Sequence, residues 1–141
     1  MLRDRWLLAA FAAAIPVWGA LIAWKGAPDP TWIAREPLRF LLLALVYPIL
    51  EEIVFRGLIQ GELLKRLRAK AGPLSAANAI TSAVFTALHL ALRPSWLALG
   101  TLPVSLVLGH FRERHGGLAA PIALHVFYNT GFLLLVYRAS P

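Results

Sequence analysis

The sequence predicts an all-α protein, a transmembrane bundle of about five helices. Apolar residues make up 59% of the 141 positions and charged residues only 15%, whereas a soluble domain has about 25% charged residues. The charged residues are collected between long apolar stretches rather than scattered. The stretches approach about 20 residues, the helical length that crosses a hydrocarbon core of about 30 Å.

Five apolar stretches define the predicted spans in chain order. They are Trp6 to Trp24, Leu38 to Leu64, Leu74 to Leu92, Ser95 to Phe111 and Leu118 to Tyr137. The first connection, 25–37, holds three prolines and a glycine, which predicts an irregular loop. The others are the basic segment 65–72, a turn at Arg93 and Pro94, and the segment 112–117. We expect a single domain, 1–141, with its motif-bearing core at 38–137.

The net charge of +7 does not indicate a nucleic-acid partner, because the basic residues lie in the short connections. Lys and Arg number eight in the N-terminal tail with the second and fourth connections. The C-terminal tail with the first and third connections, counted with the residues beside them, holds five Lys and Arg residues. This bias predicts a cytoplasmic N terminus. The absence of Cys excludes disulfides, thiolate metal sites and a Cys nucleophile.

The second span carries three charged residues near its middle, Glu51, Glu52 and Arg56. Together they cost about 8 to 10 kcal/mol on insertion scales, and the apolar residues of the span return only about 5 to 9 kcal/mol. Charged groups in such a position typically mark a functional site that faces the interior of the bundle.

Helix geometry separates the two carboxylates. Glu52 precedes Arg56 by four residues, the favourable order for an ion pair on one helix face. Glu51 lies about 140° around the helix from Arg56. The pattern therefore predicts that Arg56 neutralises Glu52 and that Glu51 serves chemistry. The alternative is a structural ion cluster of all three that joins helices.

Two further spans carry intramembrane polar residues. His89 lies in the third span, where a lone His is more often a hydrogen bonder between helices than a catalyst. His125 and Asn129 in the fifth span are four residues apart and share a helix face. They too have a structural alternative, interhelical hydrogen bonds of about 0.6 to 2 kcal/mol. Polar groups on three separate spans nevertheless indicate a shared interior site.

These residue types suit hydrolysis by an activated water. A carboxylate and an imidazole can hold and deprotonate the water, and a second imidazole with an amide can donate hydrogen bonds to the oxyanion. The alternative is a metal, such as zinc, that Glu and His ligate and that activates the water. The sequence has no HExxH pair, so we expect no metal or other cofactor and keep zinc as the alternative.

The motifs resemble those of one protease family. The run from Glu51 to Arg56 resembles an EExxxR motif, Phe85 to His89 resembles FxxxH, and His125 to Asn129 resembles HxxxN. Their order on separate spans is similar to that of the CPBP family, which comprises CAAX prenyl proteases and bacteriocin-processing or abortive-infection-like intramembrane proteases.

The resemblance implies a glutamic-type intramembrane endopeptidase. In this family's pattern Glu51 and His89 activate the water, while His125 and Asn129 form the oxyanion site.

The resemblance also implies supporting roles and a setting. Glu52 and Arg56 orient and balance Glu51, and Phe85 packs beside His89. The partners are the lipid bilayer and a membrane-anchored protein or peptide substrate, and the location is the bacterial inner membrane. The chain is shorter than the prenyl-protein proteases, which favours a bacterial peptide or a C-terminal sorting segment over a prenylated substrate.

Two alternatives remain at this point. One is a metal-dependent intramembrane protease that uses the same residues. The other is a non-catalytic membrane protein, either an immunity factor or a small transporter with a buried proton relay.

Overall fold

The computed structural model describes residues 3–26, 28–92 and 94–137. Arg93, in the predicted third connection, and Arg138, in the C-terminal tail, lie outside the described residues. Helices dominate the described residues, which confirms the all-α class. The α-helices in chain order are α1 (Arg5–Lys25), α2 (Trp32–Arg35), α3 (Pro37–Leu41), α4 (Tyr47–Glu52), α5 (Gln60–Arg66), α6 (Ala76–Leu92), α7 (Thr101–His115) and α8 (Ala119–Leu135).

The predicted second span is helical but contains two π-helical segments, Leu42–Val46 and Ile53–Ile59. At the end of each, a backbone N–H reaches the carbonyl five residues earlier: Tyr47 donates to Leu42, and Gln60 donates to Phe55. The widened turns separate α3, α4 and α5. Such segments are rare and frequently occur at functional sites, and the hydropathy of the sequence gives no signal for them.

One helix among the described residues, α1, is long and apolar enough to cross a membrane, with a mean hydropathy of 2.0. It begins at an Asp4 N-cap and ends at Gly26, which has a φ of 79°. The apolar helices α6 and α8 have 17 residues each. The prediction of five spans therefore stays a prediction, because the π segments divide the second span and the third and fifth form shorter helices.

Two predicted boundaries are wrong. Leu74–Ser75 is not helical but forms strand β2, which pairs antiparallel with β1 (Lys70–Ala71). The Ser75 hydroxyl instead caps α6, since it accepts the backbone N–H of Asn78 at 2.9 Å. The segment Trp96–Gly100 is a 3₁₀ helix that precedes α7.

The predicted fourth connection is largely helical. Helix α7 continues through Arg112, Glu113 and Arg114 to His115 and ends at Gly116, whose φ of 67° suits a C-terminal glycine. Hydropathy marks only the apolar part of a helix, so it does not reveal that these charged residues are helical. Their helical position turns Glu113 toward its neighbours on α5 and β2.

The predicted loop 25–37 contains the short helix α2, so the expectation of an irregular segment is wrong at 32–35. Trp32 anchors this helix in a cluster with Ala44 and Leu133, and its side chain is almost fully buried.

Upstream of this helix, Asp29 accepts hydrogen bonds from the hydroxyl and N–H of Thr31. These bonds, with the charge of Arg35, hold the pKa of Asp29 below its usual value.

The chain divides into two compact units, residues 1–50 with 122–141, and residues 51–121. In the first unit, Phe127 of α8 packs on Phe11 and Trp18 of α1, with ring centroids 5.0 and 5.1 Å apart. In the second unit, α6 and α7 pack along their lengths. The prediction of a single transmembrane domain stays a prediction.

Candidate active site

The predicted ion pair between Glu52 and Arg56 is confirmed. Arg56 Nη1 donates to Glu52 Oε1 at 2.9 Å, and both side chains are fully buried. The pair spans the junction between α4 and the second π segment. Burial removes both charges of an ion pair from water, so further hydrogen bonds to the charged groups contribute to its stability.

Arg56 has two further neighbours in the same unit. Its Nη2 donates to Ser105 of α7, to the hydroxyl at 2.7 Å and to the backbone carbonyl at 3.1 Å. Its guanidinium lies over the Phe85 ring, 4.9 Å from the centroid, in a cation–π arrangement. The Arg56 side chain is therefore held between its own helix, α6 and α7.

Glu51 has a different environment from that of Glu52. It is half-buried, whereas Glu52 is fully buried. It also lies close enough to Arg56 for their charges to interact. The two adjacent carboxylates are thus distinguished by their surroundings, as the helix geometry predicted, with Glu52 committed to the ion pair.

Phe85 and His89 lie one turn apart on α6, and the prediction that they pack together is confirmed. Their ring centroids are 4.3 Å apart with an interplanar angle of 36°. Phe85 also meets Phe55 edge to face at 4.9 Å and is almost fully buried. Because Phe85 contacts both Arg56 and His89, it links the ion pair to the imidazole.

The hydrogen bond of His89 determines which of its nitrogens is available. Nδ1 lies 2.9 Å from the backbone oxygen of Phe85. A carbonyl oxygen only accepts, so Nδ1 carries the hydrogen in this contact and, in the neutral ring, Nε2 carries the lone pair. The ring is partly exposed, and the lone pair on its Nε2 can accept a hydrogen bond from a water molecule.

His125 and Asn129 lie on α8 in the other unit. His125 is 4% exposed. Asn129 Nδ2 donates to the backbone oxygen of Leu43 at 3.2 Å, in the first π segment. This contact is the polar bond between helices that the structural alternative predicted for Asn129, and it uses one of the two amide hydrogens.

The predicted site residues therefore fall into two groups. The unit 51–121 contains five of them, Glu51, Glu52, Arg56, Phe85 and His89, and a hydrogen bond, a cation–π contact and a ring contact connect the last four. His125 and Asn129 belong to the other unit. The convergence of all three motifs on one cavity stays a prediction.

A chain of buried polar side chains lies behind Arg56, and none of the sequence motifs includes them. The Ser105 hydroxyl donates to Ser82 at 2.9 Å, and the Ser82 hydroxyl donates to Asn78 Oδ1 at 3.1 Å. Asn78 Nδ2 in turn donates to the carbonyl of Leu106 at 2.9 Å. The available signal was the presence of polar residues inside apolar spans, with Asn78 and Ser82 four apart on one helix face.

A second polar cluster lies at the far ends of the same helices. Gln60 Nε2 donates to the carbonyl of Gly109 at 3.1 Å and to Glu113 at 2.9 Å. Glu113 also accepts from the Ser75 hydroxyl and lies 3.8 Å from Lys70 Nζ. Polar contacts therefore join α7 to the start of α5 and to the strand pair, in addition to α6.

The arrangement of possible metal ligands bears on the metal-dependent alternative. Within neither unit do the described residues group three or more His, Asp or Glu side chains so as to hold a metal ion. The metal-dependent alternative stays a prediction.

Comparison with protein families gives a match over residues 33–131, to the model described as type II CAAX prenyl endopeptidase Rce1-like. The chain belongs to this family. The Rce1-like family is the CPBP family that the motifs resembled, so that interpretation is confirmed. Its members are integral membrane proteases, and the matched segment contains all seven predicted site residues. No curated protein and no solved structure gives a significant match.

Proposed function

We propose that the protein is an intramembrane endopeptidase that hydrolyses a peptide bond in a membrane-anchored protein or peptide. The observation that carries the proposal is the connected arrangement of Glu52, Arg56, Phe85 and His89, which commits one acid to an ion pair and orients the imidazole. Family membership over residues 33–131 supports the same chemistry.

In the proposed reaction, Glu51 and His89 activate a water molecule. His89 Nε2 accepts a hydrogen bond from the water, and the Glu51 carboxylate takes its proton as the oxygen attacks the carbonyl carbon. The electron pair of the carbonyl bond moves onto oxygen. When the tetrahedral intermediate collapses, the C–N bond breaks and the proton passes from Glu51 to the leaving nitrogen.

His125 and Asn129 are proposed to stabilise the oxyanion. The Asn129 amide has a second N–H beyond the one bonded to Leu43, and that first bond fixes the orientation of the group. The buried imidazole of His125 supplies the other donor. Preorganised donors of this kind contribute about 10²- to 10³-fold each to turnover.

The test uses purified protein in liposomes with two peptide substrates, one ending in a prenylated CAAX sequence and one in an apolar C-terminal tail. We expect Glu51→Gln and His89→Ala to lower kcat by about 10²- to 10⁴-fold, and Asn129→Ala by about 10²- to 10³-fold. All variants should insert and show the far-UV circular dichroism of the parent. Full turnover by Glu51→Gln would refute the proposed mechanism.

The same assay separates the alternatives. Undiminished cleavage after thorough chelation supports water activation by Glu51 and His89, whereas loss of cleavage that zinc restores supports the metal-dependent protease. Proton flux across the liposome membrane without cleavage, retained in Glu51→Asp, would instead indicate a proton-relay transporter. Preference for one of the two peptides identifies the substrate class.

A further inference from the structure

The fully buried Ser105 of α7 is not part of any motif that the sequence analysis singled out. It lies 49 residues from Arg56 in the chain and yet provides two of the acceptors for that guanidinium. Its hydroxyl hydrogen is directed to Ser82 at 2.9 Å, so the hydroxyl lone pairs face Arg56. The orientation of this hydroxyl is therefore fixed by a neighbour on α6.

Arg56 transmits this contact to the acid pair. Within the described residues, its Nη1 bonds Glu52 and its Nη2 bonds Ser105, while the buried Nε has no hydrogen-bond partner. A buried charged group that loses a partner incurs a large desolvation cost. Without the Ser105 hydroxyl, Nη2 retains only the carbonyl at 3.1 Å, and the guanidinium is less tightly fixed.

We propose that Ser105 is a positioning residue for the peptidase reaction, acting through Arg56 to hold Glu52 and thereby its neighbour Glu51 in the reactive geometry. The inference rests on the proposed function. A misplacement of about 1 Å at a reacting group can lower turnover by about 10²-fold. Ser105→Ala is therefore expected to lower kcat by about 10- to 100-fold and to leave KM unchanged.

A matched variant separates positioning from packing. Thr101→Val removes a hydroxyl one turn earlier on α7, which bonds Thr86 at 3.2 Å across the same pair of helices but does not contact Arg56. This variant should keep kcat within about threefold of the parent, with a melting temperature lowered as much as in Ser105→Ala.

A spectroscopic measurement tests the same contact without substrate. In protein labelled with ¹⁵N-arginine, Arg56 should show separate Nη signals, because its bonds to Glu52 and Ser105 restrict rotation of the guanidinium. Arg56→Lys identifies these signals by removing them. They should merge in Ser105→Ala and remain separate in Thr101→Val.

The inference is overturned if Ser105→Ala keeps parental kcat or if KM rises in parallel with the loss of kcat. It is also overturned if Thr101→Val loses as much turnover as Ser105→Ala, or if the Nη signals are unchanged in Ser105→Ala. Failure of the proposed function looks different. In that case Glu51→Gln retains turnover, or no cleavage occurs at all while the Arg56 signals still respond to Ser105→Ala.

Discussion

Glu51 and Glu52 are adjacent in one motif but occupy different environments, and this difference supports the different roles proposed for them. Glu52 is fully buried against Arg56, and Glu51 is half-buried. The pairing of Glu52 with Arg56 follows from local helix geometry, since a spacing of four residues brings an acid and a base onto one helix face. The sequence therefore predicted the ion pair without knowledge of the rest of the fold.

Removal of one partner of the buried pair should be costly. Arg56→Met leaves the Glu52 carboxylate buried without its cation, which is expected to lower the free energy of unfolding by about 3 to 5 kcal/mol. Arg66→Met is the matched control, because Arg66 pairs with Glu62 at the same spacing and a similar distance but is exposed. Its effect should be at most about 1 kcal/mol. Both values are measured by denaturation in detergent micelles, and equal losses would contradict the prediction.

His89 should be found in a single tautomer. The bond from Nδ1 to the Phe85 carbonyl predicts that the neutral ring has its hydrogen on Nδ1 and its lone pair on Nε2. Ring ¹⁵N chemical shifts of the labelled protein, assigned with His89→Ala, distinguish the two nitrogens directly. A ¹⁵N chemical shift typical of an unprotonated nitrogen at Nδ1 would show that this contact is absent.

Among the elements, helices α6 and α7 hold the buried neighbours of Arg56. Phe85 and His89 lie on α6 and Ser105 on α7, and polar contacts join the two helices beside Arg56. The packing is close where Gly109 meets Asn78, because a Cβ at Gly109 would overlap the Asn78 amide. That amide also bonds Ser82 and the Leu106 carbonyl, so it has little freedom to move.

Gly109→Ala should therefore destabilise the protein despite the better helix propensity of Ala. We expect the overlap to lower the free energy of unfolding by about 1 to 3 kcal/mol, the typical cost of overpacking. Gly100→Ala is the control, since a Cβ there meets no atom within 4 Å. It should be neutral or stabilising by up to about 1 kcal/mol. Thermal unfolding of both variants checks the contrast, and an equally stable Gly109→Ala would refute the close approach.

For the whole molecule, the predicted arrangement in the membrane determines which connecting segments share a side. Helix α1 is long and apolar enough to span by itself, whereas the second predicted span is divided by π segments. Five spans with a cytoplasmic N terminus predict that the segments 65–72 and 112–117 share one side of the membrane. The segments 25–37 and 93–94 then lie on the other side.

Single cysteines can test this topology because the natural chain has none. A membrane-impermeant maleimide added outside intact cells should label Pro30→Cys and Ser95→Cys. It should label Arg68→Cys and His115→Cys only after the membrane is permeabilised. Labelling of Ser95→Cys and Arg68→Cys from the same side would refute the five-span arrangement.

The sequence by itself determined the helical class, the family and the local pairs, Glu52 with Arg56 and Phe85 with His89. These depend on composition and on spacings of four residues, which a helix converts into contacts regardless of its surroundings. The tertiary structure alone decided the bonds from Arg56 to Ser105 and the π-helical turns. Contacts between residues 49 apart and shifts in backbone hydrogen bonding arise from packing between helices, and no periodicity in the sequence encodes them.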